Sequence, residues 1–353
     1  MSPLDKKTEK DVDRGLPVGI RVGLTYNLKK DVVTDPPDMQ AEFDDFDTIL
    51  AIKNALQAGG CEVGLFEADE DLPLKLINSR PDIVFNIAEG TGGRGREAHV
   101  PALLNFLNIP YTGSDETAMC IAMDKALAKR FLSSYRIRTP KYAVVSDVSR
   151  MPLAGLSFPV IVKPNAEGSS KGISGVSVVC NNGELKEILT KNIGAYRQDM
   201  LVEEYIDGRE FTVGILGNAE KMRIFPPMEI IFEDKDHSIY SYEVKRDFKK
   251  YIRYECPPDI SEKLKKELED TAAKIYGILG CRDCARIDFR LSGDGRLYFI
   301  EANPLPGLAP GYSDFPMLAE LSGVGYDELV QGILISALER YDSEKIWMGI
   351  IEE

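Results

Sequence analysis

Histidine is almost missing from this 353-residue chain, with two copies, and cysteine is sparse, with six. Scattered cysteines of this number form no disulfide framework. The one C-x-x-C, from Cys281 to Cys284, has no second pair to complete a zinc site, so it reads as small residues where a helix meets a strand. Long apolar runs are missing too: nothing approaches the roughly 20 residues of a membrane-spanning helix. Residues 1–14 are polar and charged and lack a signal-peptide core, which reads as a flexible tail (1–17) on a cytoplasmic protein. Basic charge is in deficit, with 43 Lys and Arg against 57 Asp and Glu and a net charge of −14. That excludes nucleic acid and anionic membrane as general partners, though not a local basic pocket for a nucleotide. There is no internal repeat, low-complexity linker or Walker A motif.

What is present is globular: 44% hydrophobic and 28% charged, at a length that suggests two or three lobes. Strands at 20–26, 62–66 and 82–87 alternate with helices at 46–56 and 101–107, which predicts a three-layer α/β lobe over 18–113. Residues 115–134 read as one long helix, with Asp115 and Glu116 in its first turn. The pattern then becomes mixed α+β, with strands at 142–145, 159–163, 176–180, 201–205, 210–216 and 223–231. A helix near 184–189 interrupts them. We divide it into a central lobe (114–213), a C-terminal lobe (214–343) and a tail (344–353). Residues 233–256 are charged, tyrosine-rich and aperiodic, as in a lid. Residues 261–279 form an amphipathic helix.

Residues 286–291 alternate polar and apolar, so Arg286, Asp288 and Arg290 share one strand face. A two-residue type I′ turn at Asp294-Gly295 would place Asp288 opposite Glu301, and Arg286 opposite Asn303. A four-residue loop would move the register but not the faces. Carboxylates facing each other at about 5 Å repel. A divalent cation would compensate them, with Asn303 as a further oxygen ligand, and Mg²⁺ suits such a set. The plainer reading is that Arg286 and Arg290 neutralise a solvated face.

Lys163 closes an apolar strand, where a lysine requires an anion nearby. It runs into Asn165-Ala166-Glu167-Gly168-Ser169-Ser170-Lys171-Gly172, a loop able to offer N–H and O–H donors to phosphate, or simply a surface hairpin. Gly90-Thr91-Gly92-Gly93-Arg94-Gly95 competes as a G-x-G-x-x-G, with Asp115 about 20 residues further on, the fingerprint of a nicotinamide- or flavin-dependent oxidoreductase. Against that reading, the motif follows a later strand than the first, and Asp115 starts a helix.

Taken in order, Pro110-Tyr111-Thr112-Gly113-Ser114, Met123-Asp124-Lys125, Val162-Lys163-Pro164, Glu167-Gly168-Ser169-Ser170, Glu203, Glu210-Phe211-Thr212-Val213, Arg286-Ile287-Asp288, Glu301-Ala302-Asn303 and Pro306-Gly307 resemble the D-alanine–D-alanine ligase family of the ATP-grasp superfamily. The resemblance runs over roughly residues 20–341. It implies an ATP-grasp fold behind an N-terminal α/β lobe, and a ligase that activates a carboxylate as an acyl phosphate and joins it to an amine. ATP and Mg²⁺ would be required, with Mn²⁺ as a substitute. Lys125 and Lys163 would contact the ATP phosphates, Glu203 would lie at the adenine hinge and Glu210 at the ribose. The loop with Glu167, Ser169 and Ser170 would close over the phosphates, with Lys245 reaching the γ-phosphate. Asp288, Glu301 and Asn303 would hold the metal, and Arg286 and the Gly307 amide the oxyanion. A homodimer through the first lobe is implied as well.

The chain departs from the family where substrate is chosen. The family's amino-binding glutamate segment is replaced by a longer insert that offers Glu42 or Asp44. The lid Lys-Tyr becomes Lys245-Arg246, so that Arg246 is a candidate for a substrate carboxylate and a solvated lid arginine the alternative. The Ser-Leu pair becomes a stretch in which Tyr312 or Ser313 falls near the same place. The expected substrates are therefore amino acids or amino-acid-like metabolites, with D-alanine itself as the alternative.

Overall fold

A computed structural model describes residues 16–30, 40, 42–168, 178–233 and 251–347. In the first lobe, β1 (Arg21–Tyr26) is the middle strand of a parallel sheet, flanked by β2 (Glu62–Glu67) and β3 (Ile83–Asn86). Parallel sheets need cover on both faces. On one face Val22, Leu24, Ile83 and Phe85 pack with Ile49, Ile52 and Leu56 of α1 (Phe46–Ala58). On the other, Phe66 and Val84 pack with Leu76 of α2 (Leu72–Ser79) and Leu104 of α3 (His99–Phe106). This is the three-layer lobe that the strand–helix alternation predicts.

The single helix expected over 115–134 is two, α4 (Glu116–Met123) and α5 (Lys125–Ser134). Asp124 breaks the run because its extended backbone (φ −82°, ψ 96°) lets its carboxylate cap α5, accepting from Leu127 N at 2.9 Å and from Asn165 Nδ2 at 2.8 Å. Asp115 caps α4 in the same way, accepting from the Thr117 and Ala118 amides.

The second sheet runs β4 (Tyr142–Val145), β7 (Met200–Glu204), β5 (Val160–Pro164), β6 (Val178–Val179), beside α6 (Asn182–Tyr196). The third runs β11 (Ile252–Glu255), β10 (Met228–Phe232), β8 (Gly208–Leu216), β12 (Cys284–Ser292), β13 (Leu297–Asn303), with β9 (Arg223–Ile224) beside β8. Leu268, Ala272 and Ile275 of α7 (Glu262–Leu279) cover Phe211, Phe289 and Phe299 of that sheet. All of β8 belongs to the third sheet, so the division between sheets precedes Gly208 rather than falling at 213. Part of the expected lid is strand β11, while 234–250 lie outside the described residues. Helices α8 (Asp314–Leu321) and α9 (Tyr326–Trp347) follow, and α9 runs past the lobe end expected at 343.

The β12–β13 hairpin reaches the expected pairing by an unexpected path. Its loop has three residues, closed by Ser292 N to Arg296 O at 3.0 Å, with Gly295 at φ +78°. That alone would slip the register by one. A bulge between Asp288 and Phe289 leaves Ile300 unpaired and restores Asp288 opposite Glu301 and Arg286 opposite Asn303.

Candidate active site

On the face of the third sheet, Asp288 lies between Thr212 of β8 and Glu301 of β13, and Arg290 pairs across to Glu210. Arg286 grips Asp288 with two parallel bonds of 3.0 Å, Nε to Oδ1 and Nη2 to Oδ2. Its third corner, Nη1, reaches Asp314 Oδ2 at 2.9 Å. Asp314 opens α8, is buried, and also accepts from the Tyr254 hydroxyl at 2.8 Å. Thr212 Oγ1 (2.6 Å) and Asn303 Nδ2 (3.0 Å) complete the shell of Asp288. Both oxygens of Asp288 therefore accept twice within the protein. Burial and then Glu301 raise its carboxyl, against Arg286. At Glu301, Lys125, Lys163 and Arg286 outweigh burial and hold the carboxyl well below the usual range. The donor set fits a hard cation: two carboxylates and an amide whose Oδ1 meets no donor among the described residues. Glu301 and Asn303 face the neighbouring cavity directly, with Asp288 behind them.

A second cluster joins α5 to the central sheet. Lys163, at the end of β5, lies 2.5 Å from Glu203 Oε1, and Lys129 lies 3.1 Å from Oε2. All three are buried. The anion that an apolar strand ending in lysine demands is thus a protein carboxylate. Burial would raise Glu203, but the two ammonium groups outweigh it and lower it; burial brings Lys129 down to about 8. Lys129 also donates to the carbonyl of the bulged Ile300 at 2.8 Å. Lys125, one turn earlier on α5, contacts Glu301 at 3.3 Å and donates to the Glu167 carbonyl. Glu210 is held by Arg290 through Nε at 3.1 Å and Nη2 at 2.9 Å.

The first lobe meets this machinery through Arg96. Its Nη2 donates to both oxygens of Glu42, at 2.6 and 2.5 Å, and lies 3.0 Å from Glu167; Nη1 donates to Ala166 O at 3.0 Å. Glu42 accepts from the Gly168 amide as well. The structure thus engages Glu42, a candidate for the substrate amino group, in tying the insert to the base of the phosphate loop. Gly90 (φ +74°) belongs to the turn ahead of this contact, where a Cβ would meet Arg96 O at 2.3 Å. With Asp115 a helix cap, the G-x-G-x-x-G is a turn and not a dinucleotide cradle.

Between the lobes lies a cavity of about 520 Å³. Lys125, Glu167, Arg286, Glu301, Gly307, Tyr312 and Ser313 all line it. At Gly307 a Cβ would come within 2.8 Å of Ser313 Oγ, so a larger residue would have to displace that hydroxyl. That hydroxyl accepts from Ala309 N at 3.1 Å, so Ser313 closes the loop rather than standing free for a carboxylate. Tyr312 is 39% exposed at the rim. Ser169, Ser170, Lys245 and Arg246 lie outside the described residues. Sequence reasoning passed over Lys129, Arg96, Glu97 and Asp314. Only Lys129 carried a signal, four residues from Lys125 and so on the same helix face.

Comparison with known proteins agrees with this geometry. The family model described as D-ala D-ala ligase C-terminus matches residues 137–335. A D-alanine–D-alanine ligase of Aquifex aeolicus is 36% identical over 285 residues, covering 80% of this chain and 92% of that one. An uncharacterized protein of Sinorhizobium fredii is 34% identical over 303 residues, 84% of this chain and 88% of that one. Among solved structures, the D-alanine–D-alanine ligase of Bacillus anthracis complexed with ATP superposes with a TM-score of 0.73 at 24% identity, covering 92% of this chain and all of that one. The sheets, the Asp288–Glu301 hairpin and these relatives agree: the chain belongs to the D-alanine–D-alanine ligase family, on an ATP-grasp fold.

Proposed function

We propose that this ATP-dependent, amide-forming ligase joins amino-acid-like substrates other than two D-alanines. The observation that carries the reading is the cavity itself. Its lining holds Lys125, Arg286, Glu301, Asn303 and Gly307, the groups that the acyl-phosphate chemistry of the family calls for, together with Glu42, Asp44, Glu89 and Glu97 from this chain's own insert and the flanks of its glycine loop. Lys125 and Lys163 would bind phosphate oxygens as the terminal phosphoryl group moves to the substrate carboxylate. Arg286, held by Asp288 and Asp314, and the Gly307 amide would stabilise the oxyanion formed when the amine attacks and phosphate leaves. A Mg²⁺ held by Glu301 and Asn303, with Asp288 behind, would supply charge neutralisation at the phosphates.

A second reading is D-alanine–D-alanine ligation itself, favoured by relatives of that name at 32–37% identity. Release of ADP from Mg²⁺-ATP across a panel of amino acids separates the two: maximal turnover with D-alanine alone refutes the first reading. Dependence on no amino acid refutes both. Glu301→Ala should lower turnover at least about a hundredfold with the fold retained, and unchanged activity removes the metal assignment. All six cysteines are free, in keeping with a reducing cytoplasm. Among the described residues no helix is long and apolar enough to cross a membrane.

A further inference from the structure

The first-lobe wall of the cavity is acidic. Asp44 comes from the insert after β1, and Glu89 and Glu97 stand on either side of the glycine loop after β3. Glu97 is only 9% exposed and faces the cavity. Like Asp44 and Glu89, it has no side-chain hydrogen bond or ion pair with any described residue. Of the cations that line the same cavity, Lys125 and Arg286 are already engaged, and Lys29 is half-exposed. Lys125 is held by Glu301 and Glu167, Arg286 by Asp288 and Asp314, and Lys29 lies 3.9 Å from Asp45. Arg96, nearest behind the wall, is taken by Glu42 and Glu167. Buried carboxylates with no direct partner among the described residues, felt only at a distance by Arg96 and Lys125, are costly to hold in a shielded site.

We propose that this wall recognises a second cationic nitrogen on the acyl donor, so that the substrate is a diamino carboxylic acid; the inference rests on the ligase reading above. One α-ammonium can satisfy one or two of the three carboxylates, whereas two ammonium groups supply donors for all of them as charge-assisted hydrogen bonds. The donor's carboxyl end would then lie towards Lys125, Arg286 and Gly307, which line the same cavity and where it is to be activated. Burial raises all three acids: Asp44 to about 7 with Asp45 adding, Glu97 to about 7 with Glu42 adding, and Glu89 well above its ordinary value with Glu97 and Glu42 adding. A mono-amino analogue leaves buried carboxylates unpaired, and sites of this kind reject such analogues strongly.

The test compares donors of matched length with the purified full chain and Mg²⁺-ATP: 2,3-diaminopropionate, 2,4-diaminobutyrate, ornithine and lysine, in both enantiomers, against alanine, 2-aminobutyrate, norvaline and norleucine. The expected result is at least one diamino donor whose kcat/KM exceeds that of its mono-amino counterpart by about tenfold or more. Glu97→Gln should bring that ratio down to about threefold or less, with the affinity for ATP measured by calorimetry unchanged. Equal or better use of every mono-amino donor by the wild-type protein overturns the proposal, whether or not the variant folds. If no amino acid supports ADP release, the ligase reading fails by itself. Calorimetric titration with the same compounds then decides the recognition, and tighter binding of the mono-amino series would sink it.

Discussion

At the residue scale, the site is a set of charges that fix one another. Arg286 has three bonded corners, and Asp314 supplies the one that does not come from its own strand. Asp314→Asn leaves the fold intact but weakens that corner, so kcat should fall about tenfold to a hundredfold with the KM for ATP little changed; wild-type kcat would show that Asp288 alone orients the guanidinium. The carboxyl of Glu97 stands near 7 against an ordinary 4.5, raised first by burial and then by Glu42, with Arg96 and Lys125 opposing and Glu167 adding to the rise. A raised carboxyl gives the folded state more bound protons between those two values. Its contribution to stability is therefore lost as pH rises from about 4.5 through about 7. Glu97→Gln should raise the Tm of the ligand-free protein by a few degrees at pH 8 and scarcely at pH 5. A variant less stable at pH 8 refutes the assignment. Lys129 was legible as a helix-face partner of Lys125, but its sharing of Glu203 with Lys163 was not, because that contact joins α5 to two strands far along the chain. Lys129→Met leaves Glu203 to Lys163 alone, and the KM for ATP should rise about tenfold; steady-state kinetics at saturating amino acid measures it.

At the element scale, pattern and spacing predicted strands well and their interruptions poorly. Period-two alternation placed β12 and β13 and their shared face, since that depends only on which residues are apolar. The bulge at Ile300 and the break at Asp124 depend on tertiary partners, the Lys129 ammonium and the Asn165 amide, which no local pattern contains. The C-x-x-C shows the same limit. Cys281 and Cys284 are buried, free thiols, as a small-residue junction predicts, but between them Asp283 turns at φ +65° and is fully buried. Asp283 accepts from Arg340 through two nitrogens, from Asn218 and from the Gly113 amide, and so ties α9, the β8–β9 turn and the end of the first lobe together. Asp283→Ala strands the Arg340 guanidinium, which is buried and stacked 4.4 Å from the Tyr341 ring. A loss of about 3 kcal/mol is expected in urea unfolding, and a loss under about 1 kcal/mol would mean that the hub contributes little.

At the scale of the whole molecule, the sequence divides into lobes, but the core does not respect the division. Helix α9 packs Leu329, Val330, Ile333 and Leu334 into the same cluster as α1 and β1, and Gln331 donates to the Ala55 carbonyl at 2.8 Å. Such a long-range return leaves no periodicity of its own in the chain. The first lobe exposes Leu74 and Ile77 of α2 and Phe106 of α3, the apolar side chains through which the homodimer implied by the family resemblance would have to form. Phe106→Asp should shift the protein to monomer in light scattering, and a wild-type chain that already sediments as a monomer removes that expectation.

The contact of Arg96 with Glu42 on one side and Glu167 on the other joins the first-lobe wall of the cavity to the base of the loop that the family resemblance assigns to the nucleotide. Two ligands that bias one bonded element are coupled, and the coupling is reciprocal: whatever factor ATP adds to donor affinity, the donor adds to ATP affinity. A donor and a nucleotide that both bias this one contact would each tighten the binding of the other.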